Sequence, residues 1–183
     1  MRGVYMLKLL SLSVLLSLFA VSCAPGAFGP GSRANPLRVS VTDAATVPQN
    51  SEKFFITSGP IRAISNKIRD EALAGLTSYT NPKQGDKVSA DVFWFRVDKA
   101  ATVQGVEVTL VRQTATREVG DVGSSTFSIL DSVDLVIGIK VPSNTPVGSY
   151  PVSVSLLNSS TGASAGTLFL TLVVTAPSTT ASP

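Results

Sequence analysis

The chain has 183 residues, of which 44% are hydrophobic and only 15% are charged. That length supports one domain with a proper core, and so little charge argues against a solvated, disordered chain. There is no histidine and a single cysteine, which excludes His-based triads, the commonest metal ligand, any intramolecular disulfide and Cys-rich zinc sites.

The chain opens with Arg2 and Lys8 ahead of an apolar run over residues 9–20. A bilayer span needs about 20 apolar residues, so this run is too short to cross and has the length and flanks of a signal-peptide core. If residues 1–22 are removed, the 15 Lys and Arg fall to 13 against 12 Asp and Glu. The remaining chain is close to neutral and has no clustered basic face, so nucleic acid is not an expected partner.

The run ends in Ala20-Val21-Ser22-Cys23. This resembles a bacterial lipobox, with the chain's only cysteine where that motif requires it. The resemblance implies a covalent lipid on the Cys23 sulfur and a new N-terminus at that residue. Several acyl chains give a stable anchor where one gives marginal binding. The implied location is the cell envelope, at the outer membrane or the cell surface; Ala24 after the cysteine is compatible with outer-membrane sorting. Ala20 stands where leucine is usual. The other reading is an ordinary signal peptide cut near residues 20–24, with Cys23 incidental. Beyond the lipid, no cofactor or metal is expected.

Residues 24–36 are rich in Gly, Pro and Ala without periodicity, and predict a flexible tether over 23–36 that begins at the lipidated cysteine. Residues 176–183 read as a disordered tail. Between them, over 37–175, the pattern is that of strands. Leu37, Val39 and Val41 alternate with polar residues, and Phe54, Phe55 and Ile56 mark a second run. Residues 58–84 form an insertion in which Ile61, Ile64, Ile68, Ala72 and Leu76 recur at helical spacing, behind Ser58 and Pro60. They predict one amphipathic helix over 60–76. Its adjacent Asp70 and Glu71 point apart on a helix and make a poor catalytic pair.

Residues 88–98 carry apolar side chains on both faces: Phe93, Phe95 and Val97 on one, Val88, Ala90, Val92 and Trp94 on the other. A strand apolar on both sides is covered on both sides, and the helix is the expected cover. Strands follow over 103–112 and 127–130, then around Leu135 to Val141, Tyr150 to Leu156, and 167–175. The spacing predicts an all-β domain, an antiparallel β-sandwich of seven to eight strands with one inserted helix. Asp131 and Asp134 fall around a break between two of these strands, where a turn role outweighs a calcium site.

The segment from Val141-Pro142 through Pro146, Gly148 and Tyr150 to Val152 and Val154 resembles bacterial immunoglobulin-like domains of the kind appended to secreted glycosidases and surface proteins. Pro142, Pro146, Gly148, Tyr150, Val152 and Val154 match that pattern. The resemblance covers about 40 residues, 134–174, and implies an architectural motif with no catalytic residue. A strand ends at the prolines, Gly148 permits the turn, and Tyr150 buries its ring while its hydroxyl bonds backbone. Pro151 is unusual there and suggests a sheet edge.

Trp94 is the candidate for a ligand-stacking surface, and its place in the most apolar strand makes core packing the stronger alternative. The acid and base inventory is thin, so no enzyme is expected. The combined expectation is a lipid-anchored envelope protein with a structural, accessory or protein-interaction role and an envelope protein as partner. The alternative is a module that binds carbohydrate or cell-wall polymer.

Overall fold

The computed structural model describes residues 28–40, 43–59, 83–103, 105–122 and 127–177. Cys23, the leading segment and the predicted helix over 60–76 lie outside these residues. The described chain forms nine strands, against the seven or eight expected: β1 (Leu37–Arg38), β2 (Ala44–Pro48), β3 (Ser51–Ser58), β4 (Lys87–Asp91), β5 (Phe95–Ala101), β6 (Glu107–Val122), β7 (Phe127–Val141), β8 (Gly148–Asn158) and β9 (Ser164–Thr175). One sheet has the order β1-β3-β7-β6-β4 and the other β2-β9-β8-β5. Neighbours are antiparallel except β1 beside β3 and β2 beside β9, which are parallel.

The two sheets enclose one core, which makes the domain a β-sandwich. Period-two alternation decides which residues face inward. Val133, Leu135, Ile137, Ile139 and Val141 of β7 meet Val152, Val154 and Leu156 of β8 and Leu170, Leu172 and Val174 of β9. Full burial of each such side chain contributes about 1.5–3 kcal/mol before entropy is counted. No charged residue follows Lys140 in the sequence, so the side chains of β8 and β9 form no ion pair, and apolar contacts and backbone bonds hold these strands with a few polar side-chain bonds such as those of Tyr150 and Asn158. Among the described strands, charged residues lie in the first sheet and in β5.

The strand expected over 88–98 is two strands in different sheets. β4 pairs with β6 at residues 114–118, and β5 pairs with β8. Residues 92–94 carry the chain across. Val92 and Trp94 point into the core, and so does Phe95; two adjacent inward residues mark the change of sheet. A strand that leaves one sheet for its opposite must invert which parity faces the core. That inversion is why both faces read as apolar, and the argument for a covering helix, which rested on that pattern, no longer applies.

β6 and β7 also run further than their sequence suggests. Asp131 and Asp134 do not flank a strand break; both lie inside β7. Asp131 is held by Arg117 directly opposite on β6, with Nε and Nη2 at 2.8 and 3.0 Å from the two carboxylate oxygens. Asp134 receives the same two-pronged contact from Arg38, at 2.7 and 3.2 Å, which holds the Arg38 guanidinium pKa above its ordinary value. Carboxylates matched to a guanidinium fork belong comfortably in a strand.

Pro151 sits in β8, which lies between β9 and β5 and is therefore not an edge strand. Its tolerance has a local cause. The last β5 partner is Ala101 opposite Ser153, so among the described residues Pro151 has no ladder partner on that side. Residues 28–36, expected within the tether, form a turn against β3. Gly31 N–H donates to Asn35 O, and Gly31 O accepts from Phe54 N–H. Gly31 has φ +79°, a left-handed conformation that glycine adopts without the strain a side chain would bring.

Candidate functional site

The crossing at residues 92–95 is pinned on both sides. Val92 N–H donates to Gln113 O at 2.9 Å, and Ser159 N–H donates to Trp94 O at 2.8 Å. The buried Gln113 side chain completes the arrangement: its Oε1 accepts from Phe95 N–H at 2.9 Å and its Nε2 donates to Phe95 O at 2.6 Å. In an antiparallel ladder each strand turns alternate N–H and C=O pairs away from its partner. Phe95 turns its pair away from β8, and Gln113 takes it as one residue of a neighbouring strand would. One amide thus ties the edge of the second sheet to β6 of the first.

With Val92 and Trp94 turned inward, Phe93 is turned out, and 85% of it is exposed. It stands at the side of the sandwich where β5 and β6 approach each other. Two clefts share it. One, about 260 Å³, is lined by Arg33, Asp91, Val111 and Arg112 as well as Phe93. The other, about 470 Å³, lies between Arg96 and Val97 of β5 and Val108, Leu110 and Arg112 of β6. Among the described residues, Arg33, Arg96 and Arg112 form no ion pair. The Asp91 carboxylate accepts from Thr114 Oγ1 at 3.0 Å. The region therefore presents an exposed phenyl ring amid three uncommitted guanidinium groups.

Trp94 itself is 6% exposed and belongs to the core, so it offers no stacking surface. The sequence pattern put Phe93, beside it, on one face with Phe95 and Val97; it instead continues the exposed parity of Lys87, Ser89 and Asp91, and the inward parity switches only after Trp94. Pro142, Pro146, Gly148 and Tyr150 come together as a turn. Tyr150 Oη donates to Pro146 O at 3.0 Å. An added Cβ on Gly148 would lie 3.2 Å from that hydroxyl oxygen and 3.4 Å from the ring carbon bearing it, so glycine lets the ring lie against the backbone. The group is architectural and holds no reactive side chain.

One sequence pattern missed by the reading above is Gly162-Ala163-Ser164-Ala165-Gly166, which matches the Gly-x-Ser-x-Gly of serine hydrolases. That motif acts as a strained strand-to-helix turn with a histidine partner. Here it joins strand to strand, at the hairpin from β8 to β9. Asn158 Oδ1 accepts from Ser160 and Thr161 N–H at 2.9 and 3.0 Å, Gly162 takes φ +69°, and the chain has no histidine. Its role is that of a hairpin turn. Among the described residues no three acidic or thiol side chains converge on a metal position.

No family model matches the chain, and no curated protein is significantly similar to it.

Proposed function

We propose that this chain is a lipid-anchored protein of the bacterial cell envelope, attached through Cys23, whose domain works by protein contact and not by catalysis. The observation that carries the reading is Phe93, a large apolar side chain 85% exposed at a cleft between two sheet edges. The ring is not isolated: it shares its cleft with Val97, Val108 and Leu110 and is rimmed by Arg96 and Arg112, and contiguous apolar surface with a polar rim is what marks an interaction site. The carbohydrate-binding alternative is weaker, because Trp94, its main support, is buried.

The domain reads as immunoglobulin-like. In the constant-type arrangement one sheet holds A, B, E and D and the other C, F and G. The order β1-β3-β7-β6 against β5-β8-β9 supports that assignment, with β2 as a second part of the first strand and β4 as an addition beside D. Tyr150, at the start of the strand equivalent to F and bonded to Pro146 O, matches the tyrosine corner of such domains and supports it further.

The anchor is tested with Cys23→Ala in the full chain. Release into the soluble fraction supports it; retention on the membrane refutes it. Protein contact is tested by crosslinking intact envelopes and identifying what copurifies in detergent. One abundant protein at fixed stoichiometry is expected, and a chain recovered only with glycan would overturn the reading.

A further inference from the structure

The proposed contact can be given a chemistry, which rests on the reading above. β4 pairs with β6 only at residues 114–118. Over residues 107–112, β6 has β7 on one side and no strand on the other among the described residues. An unpaired strand edge is a template for another strand. The neighbouring edge of β5 is blunted, because Gln113 occupies the backbone of Phe95; a register shift does not separate the two edges, since β5 has one between Val97 and Lys99 and β6 has one between Leu110 and Arg112. The edge of β6 is the one left open, and it borders the larger cleft.

We propose that residues 107–112 of β6 receive an extended acidic segment of another protein, added as a strand, with an apolar side chain against Phe93 and carboxylates on Arg33, Arg96 and Arg112. Strand addition takes its affinity from main-chain bonds and its selectivity from pockets for alternate side chains. Residues 108–113 line the cleft in an unbroken run, so this stretch of β6 presents its edge to it. Guanidinium groups without partners favour carboxylates, which they bind with two parallel bonds. A second copy of this chain fits poorly. Its own described edges, β1 with Arg38, β2 without charge, β4 with Lys87 and Asp91, β5 with Arg96, Asp98 and Lys99, and the open part of β6 with Glu107 and Arg112, have no acidic excess.

Two measurements test this. The first uses the full chain in detergent and a fluorescent decapeptide of alternating Val and Glu. Saturable binding is expected, weakened at least tenfold by Arg112→Glu and abolished by N-methylation of alternate peptide nitrogens. Equal binding of the Val and Lys counterpart, or of the N-methylated peptide, overturns the proposal. So does equal competition by polygalacturonate at matched charge, which would make this a general anion site. The second places a photo-crosslinking amino acid at position 93 or at position 169 in envelopes. Phe169 is 63% exposed on the outer face of the other sheet. Crosslinks from 93 to an acidic protein segment support the proposal. Protein crosslinks from 169 alone, or from 93 to a segment without acids, overturn it and leave protein contact standing. Protein crosslinks from neither position overturn both.

Discussion

Replacing Gln113 by Leu keeps most of the side-chain volume and removes both bonds to Phe95. Gln113 is 6% exposed, so water does not readily replace what is lost. Two buried backbone groups, the N–H and the C=O of Phe95, are then left without partners. Each such group costs about 1–3 kcal/mol, and partial relaxation of a sheet edge puts the expected loss at about 3 kcal/mol in total. With an m-value of about 2 kcal/mol per M urea for a domain of this size, the unfolding midpoint falls by about 1.5 M. Gln113→Glu adds a sign test. A carboxylate accepts from Phe95 N–H but cannot donate to Phe95 O, whereas a protonated carboxyl does both. Burial raises the folded pKa of the introduced group above its unfolded value of about 4.3. The stability it contributes is therefore present below that unfolded value and is lost as pH rises through the folded pKa. Relative to the unaltered chain, this variant is nearly as stable near pH 4 and increasingly less stable toward neutrality. Urea titrations at several pH values measure both effects. A loss below about 1 kcal/mol for the Leu variant, or a pH-independent difference for the Glu variant, would refute the clamp.

Two further perturbations follow from the ion pairs and the turn. In double-mutant cycles, Arg117 and Asp131, with side chains 18% and 13% exposed, couple by about 1–2 kcal/mol. Lys140 and Glu107, directly opposite each other but 58% and 63% exposed, couple by less than about 0.5 kcal/mol; equal couplings would remove burial as the deciding factor. Tyr150→Phe removes the bond to Pro146 O and lowers stability by about 1 kcal/mol in chemical denaturation, and an unchanged midpoint would show that the hydroxyl does no structural work.

The strands that could be read directly are those with apolar inward residues: the second half of β7, β8 as far as Leu156, and β9. The strands that were hidden put polar groups on the inward parity. In β6, Gln113 and Arg117 share a parity with Ala115 and Val119, so the alternation looks broken after residue 112. The break vanishes once Gln113 is seen to hold Phe95 and Arg117 to hold Asp131. Asp131 and Asp134 misled for the same reason, since an in-strand carboxylate looks like a turn residue until its arginine is known, and Arg38 stands 96 positions away from Asp134. The crossing at 92–94 was illegible in another way. A parity inversion leaves local sequence uniformly apolar, and only the pairing of β4 with β6 and β5 with β8 exposes it. The candidate site inherits that illegibility, because Phe93 continues the exposed parity of Lys87, Ser89 and Asp91 and parts from Phe95 only where the inward parity switches after Trp94.

The same inversion separates what the fold needs at position 93 from what this chain has. Val92 and Trp94 turn inward, and alternation then forces residue 93 outward whatever its identity. A side chain 85% exposed buries little area, so the fold is equally satisfied by serine. Phe93→Ser should therefore leave unfolding free energy within about 0.5 kcal/mol of the unaltered chain, while crosslinking and peptide binding at the cleft are lost. A loss of 2 kcal/mol or more in the same titration would place the ring in the core in solution. The cleft would then be closed, and the argument for a contact surface there would fail with it. If stability is kept and contact is lost, the aromatic ring at this position is explained by a partner and not by the sandwich that carries it.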